Sequence, residues 1–171
     1  MRQILTAALL LPAVSLGDAT GPDSGWAVTL ADDPSGYGEV VVLYQDAGNT
    51  IKDESATKDV TPRLSFSCSP GDPSITAHID WQRFISSFST EVGFKIDDGR
   101  FTWLKWKVDS SEKVTISPST DDSGKLLALM GAGETLRVEI SPYSEGSVEL
   151  EFALAGFADA LQSLKGRCQQ A

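Results

Sequence analysis

The residues here whose types could do chemistry are two cysteines, one histidine, a few acidic pairs and one aromatic stretch interleaved with lysines. Cys68 and Cys168 could pair with each other, hold a metal or supply a nucleophile. A zinc site needs four ligands, and with His78 as the one histidine that set is hard to complete. In an oxidising compartment two thiols read first as one disulfide, so the cysteine chemistry depends on whether the chain is exported.

His78 stands two residues before Asp80, and the two could serve as base and orienter for a serine. No Gly-x-Ser-x-Gly elbow supplies that serine, and a histidine on a solvated strand face is the simpler reading. Ser110-Ser111-Glu112-Lys113 matches Ser-x-x-Lys but lacks the companion motifs of that chemistry. The pairs Asp32-Asp33, Asp97-Asp98 and Asp121-Asp122 adjoin Pro, Gly or Ser, where turn chemistry accounts for them. A calcium loop beginning at Asp121 would put Ala132 where a bidentate glutamate is needed. No glycine-rich phosphate loop occurs. The expectation is a protein without enzymatic activity, metal or cofactor.

The aromatic stretch runs from Phe101 to Val108 (FTWLKWKV). Strand alternation puts Thr102, Leu104, Trp106 and Val108 on one face and Phe101, Trp103, Lys105 and Lys107 on the other. The first set reads as core. The second is an aromatic and basic patch in an acidic protein, either a partner-binding surface or a packed strand edge with lysine stems lying over it.

Around these residues, short apolar alternations are separated by Gly, Pro, Asp and Ser clusters, the pattern of an all-β domain. Trp26, Val28 and Leu30 share one strand face, and Val40–Tyr44 reads as a strand covered on both sides. Residues 45–61 are small and polar and read as a long mobile loop. Leu64, Phe66 and Cys68 alternate inward, as do Ile75, Ala77, Ile79 and Trp81; Val92, Phe94 and Ile96 lead into a turn at Asp98-Gly99. Val114 and Ile116 mark a strand, residues 126–130 a short helix or extended turn, and Leu136, Val138 and Ile140 the next strand. Val148, Leu150, Phe152 and Leu154 form the last strand face. Phe157, Leu161, Leu164 and Cys168 then fall on one stripe of an amphipathic helix. The expected fold is a mainly β, antiparallel sandwich of about eight to nine short strands with this C-terminal helix packed on it. Both cysteines then face the core, and a disulfide between them would pin the helix to the sheet.

A chain of 171 residues allows one ordinary domain and a short targeting segment. The formal net charge of −10 argues against nucleic acid and anionic membrane surfaces as partners. Residues 1–19 combine a basic start at Arg2, an apolar run from Ile4 to Leu16 and a small-residue exit at Gly17-Asp18-Ala19, the pattern of a secretory signal peptide. The apolar run spans about 20 Å as a helix, short of a bilayer's hydrocarbon core. Cleavage after Ala19 or after Gly17 leaves a single domain over residues 20–171, periplasmic or secreted and not inserted in the membrane.

Taken in order, the motifs resemble those of the VasI (TagO) family of type VI secretion-associated periplasmic proteins. The shared features are Gly25-Trp26, Asp33-Pro34, the strand Leu64–Cys68, Ile79-Asp80-Trp81, residues 92–99 (VGFKIDDG), Trp106, Ser141-Pro142-Tyr143 with Glu145, Phe152, Gly156 and a terminal helix ending at Cys168. The pattern departs from that family at Asp109 and after Cys168. The resemblance implies an exported accessory protein that acts by contact with a protein partner in the cell envelope. Two other roles remain open on the residues: a secreted hydrolase using Asp80 and His78 with a serine, and a small-ligand or glycan-binding module built on Trp103. Intact-mass measurement of the exported protein should show a chain shorter by about 19 residues and two protons lighter than its reduced form. Free thiols in the folded exported protein would refute this.

Overall fold

The computed structural model describes residues 25–33 and 38–170, so the signal-peptide reading of residues 1–19 lies outside the described residues. Along the chain the elements are β1 (Ala27–Asp32), β2 (Glu39–Asp46), β3 (Ile51–Lys52), β4 (Asp59–Val60), β5 (Arg63–Cys68), β6 (Thr76–Asp80), β7 (Ser89–Ile96), β8 (Thr102–Val108) and β9 (Val114–Ile116). There follow α1 (Thr120–Met130), β10 (Thr135–Ile140), β11 (Val148–Ala153) and α2 (Phe157–Cys168).

Nine of the strands form one antiparallel sheet, ordered β1-β2-β5-β6-β9-β8-β7-β10-β11, and most of them bury one face as their alternating apolar residues require. β1 does not, since Trp26 before it is buried and Val28 half-buried but Leu30, expected on the same face, is exposed. The inner face carries Val41 and Leu43, Leu64 and Phe66, Ala77 and Ile79, Val92 and Phe94, Trp106, Leu136 and Val138, and Leu150 and Phe152, all buried in one core. The fold is mainly β as expected, but the two layers of the sandwich are one continuous open sheet that curls until its ends face each other. Trp26, next to β1, donates its indole N–H to the carbonyl of Ala153 in β11 at 2.9 Å.

That approach finishes an edge. The unpaired side of β11 would otherwise present bare backbone groups. Instead the Asn49 amide donates to Glu149 O and accepts from Glu151 N–H, both at 2.9 Å, while Gly48 N–H donates to Glu151 O at 2.7 Å. One asparagine side chain and a neighbouring amide thus stand in for a tenth strand.

The segment that supplies them is ordered, which corrects the mobile-loop reading of residues 45–61. β3 and β4 form a hairpin whose tip is organised by the Asp53 carboxylate, which accepts from the N–H groups of Thr57 and Lys58 and from the Ser55 hydroxyl. The polar residues are engaged with one another within the turn, so polarity there marks a solvated turn and not a mobile one.

α2 lies over the inner face of the β1–β2–β5 end, with the Phe157 ring 4.9 Å from Trp26 and 6.0 Å from Phe66, centroid to centroid. Its last residue, Cys168, is bonded to Cys68, with the Cα atoms 5.8 Å apart and 100 residues between them in sequence. On the chain-entropy account a loop of that length contributes about 4.7 kcal/mol. α1 reaches both β6 and β7 through buried Leu126 and Met130; Ser119 caps it by accepting from Asp122 N–H. Denaturant unfolding should show Cys168→Ser to be destabilised by about 2–5 kcal/mol. Trp106→Ala, which empties a fully buried site 5.2 Å from Phe94, should cost about 3–5 kcal/mol.

Candidate functional site

In β8 Trp106 is fully buried, and Trp103, Lys105 and Lys107 are exposed on the outer face, with Phe101 half-buried beside them. Of the face read as core, Leu104 and Val108 are only half-buried and Thr102 is exposed at the start of the strand. Register places Trp103 opposite Gly93 of β7. A Cβ at Gly93 would lie 3.0 Å from Cη2 and Cζ3 of Trp103 and from Cδ1 of Phe101, so both rings rest on the strand where a side chain is missing. Their centroids are 5.7 Å apart, and Lys95 Nζ stands 5.0 Å from the centre of the Phe101 ring. The platform is therefore held from below by a glycine and from the side by an aromatic neighbour and a cation. Trp103 keeps 46 % of its surface open.

Two aromatics outside the expected set join it. Among the described residues the large apolar side chains left exposed are Leu30, Phe88, Trp103 and Tyr143, and the last three all lie beside β7 or at its start. Phe88 immediately precedes β7 and accepts Val108 N–H through its carbonyl; Tyr143 N–H donates to Ile85 O at 3.0 Å. The loop bearing Tyr143 is fixed by Arg83, a buried guanidinium that bonds both carboxylate oxygens of Glu145 at 2.6 Å and Lys52 O at 2.8 Å. Between Trp103 and this loop lies an open cavity of about 410 Å³ lined by Thr90, Glu91, Trp103 and Ser141. Periodicity could not reveal Phe88 or Tyr143, since each sits between strands; the signal available was a large aromatic set among serines, prolines and other turn formers.

The histidine lies on the outer face of another part of the sheet. His78 Nε2 is 3.2 Å from the Ser67 hydroxyl across β5 and β6. Asp80 is engaged elsewhere: its carboxylate accepts from Gln82 N–H, and its cross-strand neighbour is Arg63. Burial pushes the His78 imidazole below its ordinary pKa, against an opposing pull from the Asp109 carboxylate. In two of the acidic pairs one carboxylate holds a turn or a helix start. Asp97, in the left-handed region at φ 47°, accepts from the N–H groups of Glu134 and Thr135, and Asp122 bonds the α1 cap Ser119. Among the described residues no three His, Cys, Asp or Glu side chains are grouped to hold a metal ion.

No protein-family model matches the chain, and no curated protein does. Among solved structures it resembles the crystal structure of invasion-associated protein B from Bartonella henselae, with a TM-score of 0.51 and 13 % identity over 84 % of this chain and 93 % of that one. At that identity the likeness speaks for the fold alone.

The His78 environment carries a pH dependence with a definite sign. Its folded pKa lies below the ordinary 6.5, so the unfolded chain takes up the proton first and stability falls as pH drops below that value. Asp53 acts lower. Against a desolvation cost, the Lys58 and Thr57 N–H groups and the nearby hydroxyls hold its carboxyl at about 2, so its contribution is lost below the usual carboxylate range. Thermal unfolding between about pH 7 and pH 5 should therefore lose less stability in His78→Gln than in the unmodified chain, with no difference above about pH 7.

Proposed function

We propose that this protein works outside the cytoplasm as an accessory protein that acts by contact with a protein partner in the cell envelope, through the outer face of β7 and β8. The observation that carries the reading is the exposure of Phe88, Trp103 and Tyr143 beside β7 or at its start, while the other described aromatic rings are buried wholly or in part. Exposed aromatics on a rigid support are the usual anchors of an interface. Lys105 and Lys107, which no ion pair engages among the described residues, add a local positive field to a chain of net charge −10 and favour an acidic partner surface. The disulfide and the absence, among the described residues, of any helix long and apolar enough to cross a membrane accord with a periplasmic or secreted setting.

The motif order over residues 25–168 supports a finer assignment, to the envelope side of a type VI secretion system. Sheath and baseplate genes beside its own would strengthen that link, and an isolated locus would weaken it. The structural neighbour's name associates that protein with invasion, which is compatible with a role in contacts outside the cytoplasm.

A second reading, a secreted hydrolase, draws on the Ser67–His78 contact, which puts a serine hydroxyl 3.2 Å from an imidazole nitrogen. Labelling of Ser67 by a serine-directed phosphonate, lost in His78→Ala, would establish it.

The contact reading is tested by placing a photo-crosslinking residue at position 103 and, as a control, at position 58 on the β3–β4 hairpin. A partner trapped from 103 and not from 58 is the expected result. Trp103→Ala, and Phe88→Ala with Tyr143→Ala, should leave the unfolding temperature nearly unchanged and weaken capture by at least about 2 kcal/mol each. A large stability loss with no capture defect would show these aromatics to be packing residues.

A further inference from the structure

We infer that the cavity against Trp103 is a binding site for a polysaccharide, with one pyranose ring stacked on the indole. The inference goes beyond the protein contact proposed above and gives Trp103, one of the three aromatics of that contact, a ligand of a different class.

The floor is aromatic. Trp103 and Phe101 pack into the gap left by Gly93, which holds the indole against the sheet while 46 % of the Trp103 surface stays open. A ring held this way loses little further freedom on binding, which is what a stacking platform needs. A pyranose presents a matching surface: the C–H groups of one ring face are apolar, and its hydroxyls project around the rim.

The walls have the complementary chemistry. Apart from Trp103, the lining consists of Thr90, Glu91 and Ser141: two hydroxyls that donate and accept, and one carboxylate that accepts. Ser141 Oγ already exchanges a hydrogen bond with Ser147 Oγ at 3.2 Å, which orients it without using up its capacity. An apolar side chain from a protein seated here would bury these groups without partners. A polyol satisfies both the indole and its polar rim.

The shape favours a chain over a free sugar. At about 410 Å³ the cavity falls within the range of small-ligand sites, about 300–1,000 Å³, and it is open along its sides, so a glycan can enter and leave across the sheet. The neighbouring Phe88 and Tyr143 stay free for a protein.

The test uses the mature, disulfide-bonded chain and three soluble probes: cellotetraose, maltotetraose and the β-1,4 tetramer of N-acetylglucosamine. Trp26, Trp81 and Trp106 are all buried, so a change in tryptophan emission on titration reports Trp103. At least one tetrasaccharide should give a saturable change and a calorimetric isotherm. Trp103→Ala should weaken that binding by at least about tenfold, and Trp103→Phe, which keeps an aromatic face, should stay within about threefold in the calorimeter. Matching unfolding temperatures will show that both variants are folded. Absence of saturable binding to all three sugars, or equal affinity in Trp103→Ala, overturns the proposal. A chain that binds no sugar yet still crosslinks to a protein from position 103 overturns the glycan site alone; sugar binding without a crosslink overturns the protein contact alone.

Discussion

A wide antiparallel sheet has to solve two problems at once: it must hide one face, and it must finish its edges. Here both are met by curling. The inner side chains of nine strands form one core, and the bend brings the β2–β3 connection against β11, where Asn49 and Gly48 engage backbone groups that would otherwise invite another chain. Trp26 takes part in both solutions, its ring packed on Phe157 and its N–H spent on the Ala153 carbonyl. Every other feature assumes this curl. α2 has a concave surface to fill because of it, and the bond from Cys68 to Cys168 holds the helix there by constraining the unfolded chain.

The outer face is then free to vary, and its features trace back to the same backbone. Gly93 weakens β7 as a strand, since it has no side chain to pack, yet its bareness is what lets two aromatic rings pack over it on the outside of the sheet. The buried Arg83 guanidinium joins the β3–β4 hairpin to the loop around Glu145, so one charged group positions both the edge-finishing segment and the loop that carries Tyr143. Its Nη2 donates to both oxygens of one carboxylate and its Nη1 to a carbonyl, which meets the demand of a buried charge for partners.

Charge and chemistry are arranged in different places. The carboxylates with the clearest structural work, at Asp53, Asp97 and Asp122, point at backbone N–H groups or helix caps and keep turns closed. Two of the lysines that no ion pair engages among the described residues, Lys105 and Lys107, lie side by side on the outer face of β8. The histidine is held neutral by burial beside a serine. A domain built in this way presents a preformed surface, whereas reactive groups aimed at one point are wanting among its described clusters.

Most strands of the large sheet, their core faces and the terminal helix were legible in the sequence, because a two-residue alternation and a 3.6-residue stripe are local properties of the chain. The exceptions were β3 and β4, read as loop, the one-sided burial of β2, read as covered on both sides, and the full span of α1. The inward phase of Cys68 and Cys168 followed from the same periodicities, and so did the division of β8 into buried Trp106 and exposed Trp103. What periodicity cannot carry is which strands become neighbours. That Asp97 would hold the start of β10, that residues 45–61 would close an edge, that Ser67 and not Asp80 would meet His78, and that Phe88 and Tyr143 would join Trp103 around β7 are long-range outcomes of strand order and curl. Gly93 shows the division most plainly. Its lack of a side chain is written in the sequence, but a missing Cβ becomes a seat for an indole only when register places Trp103 across from it.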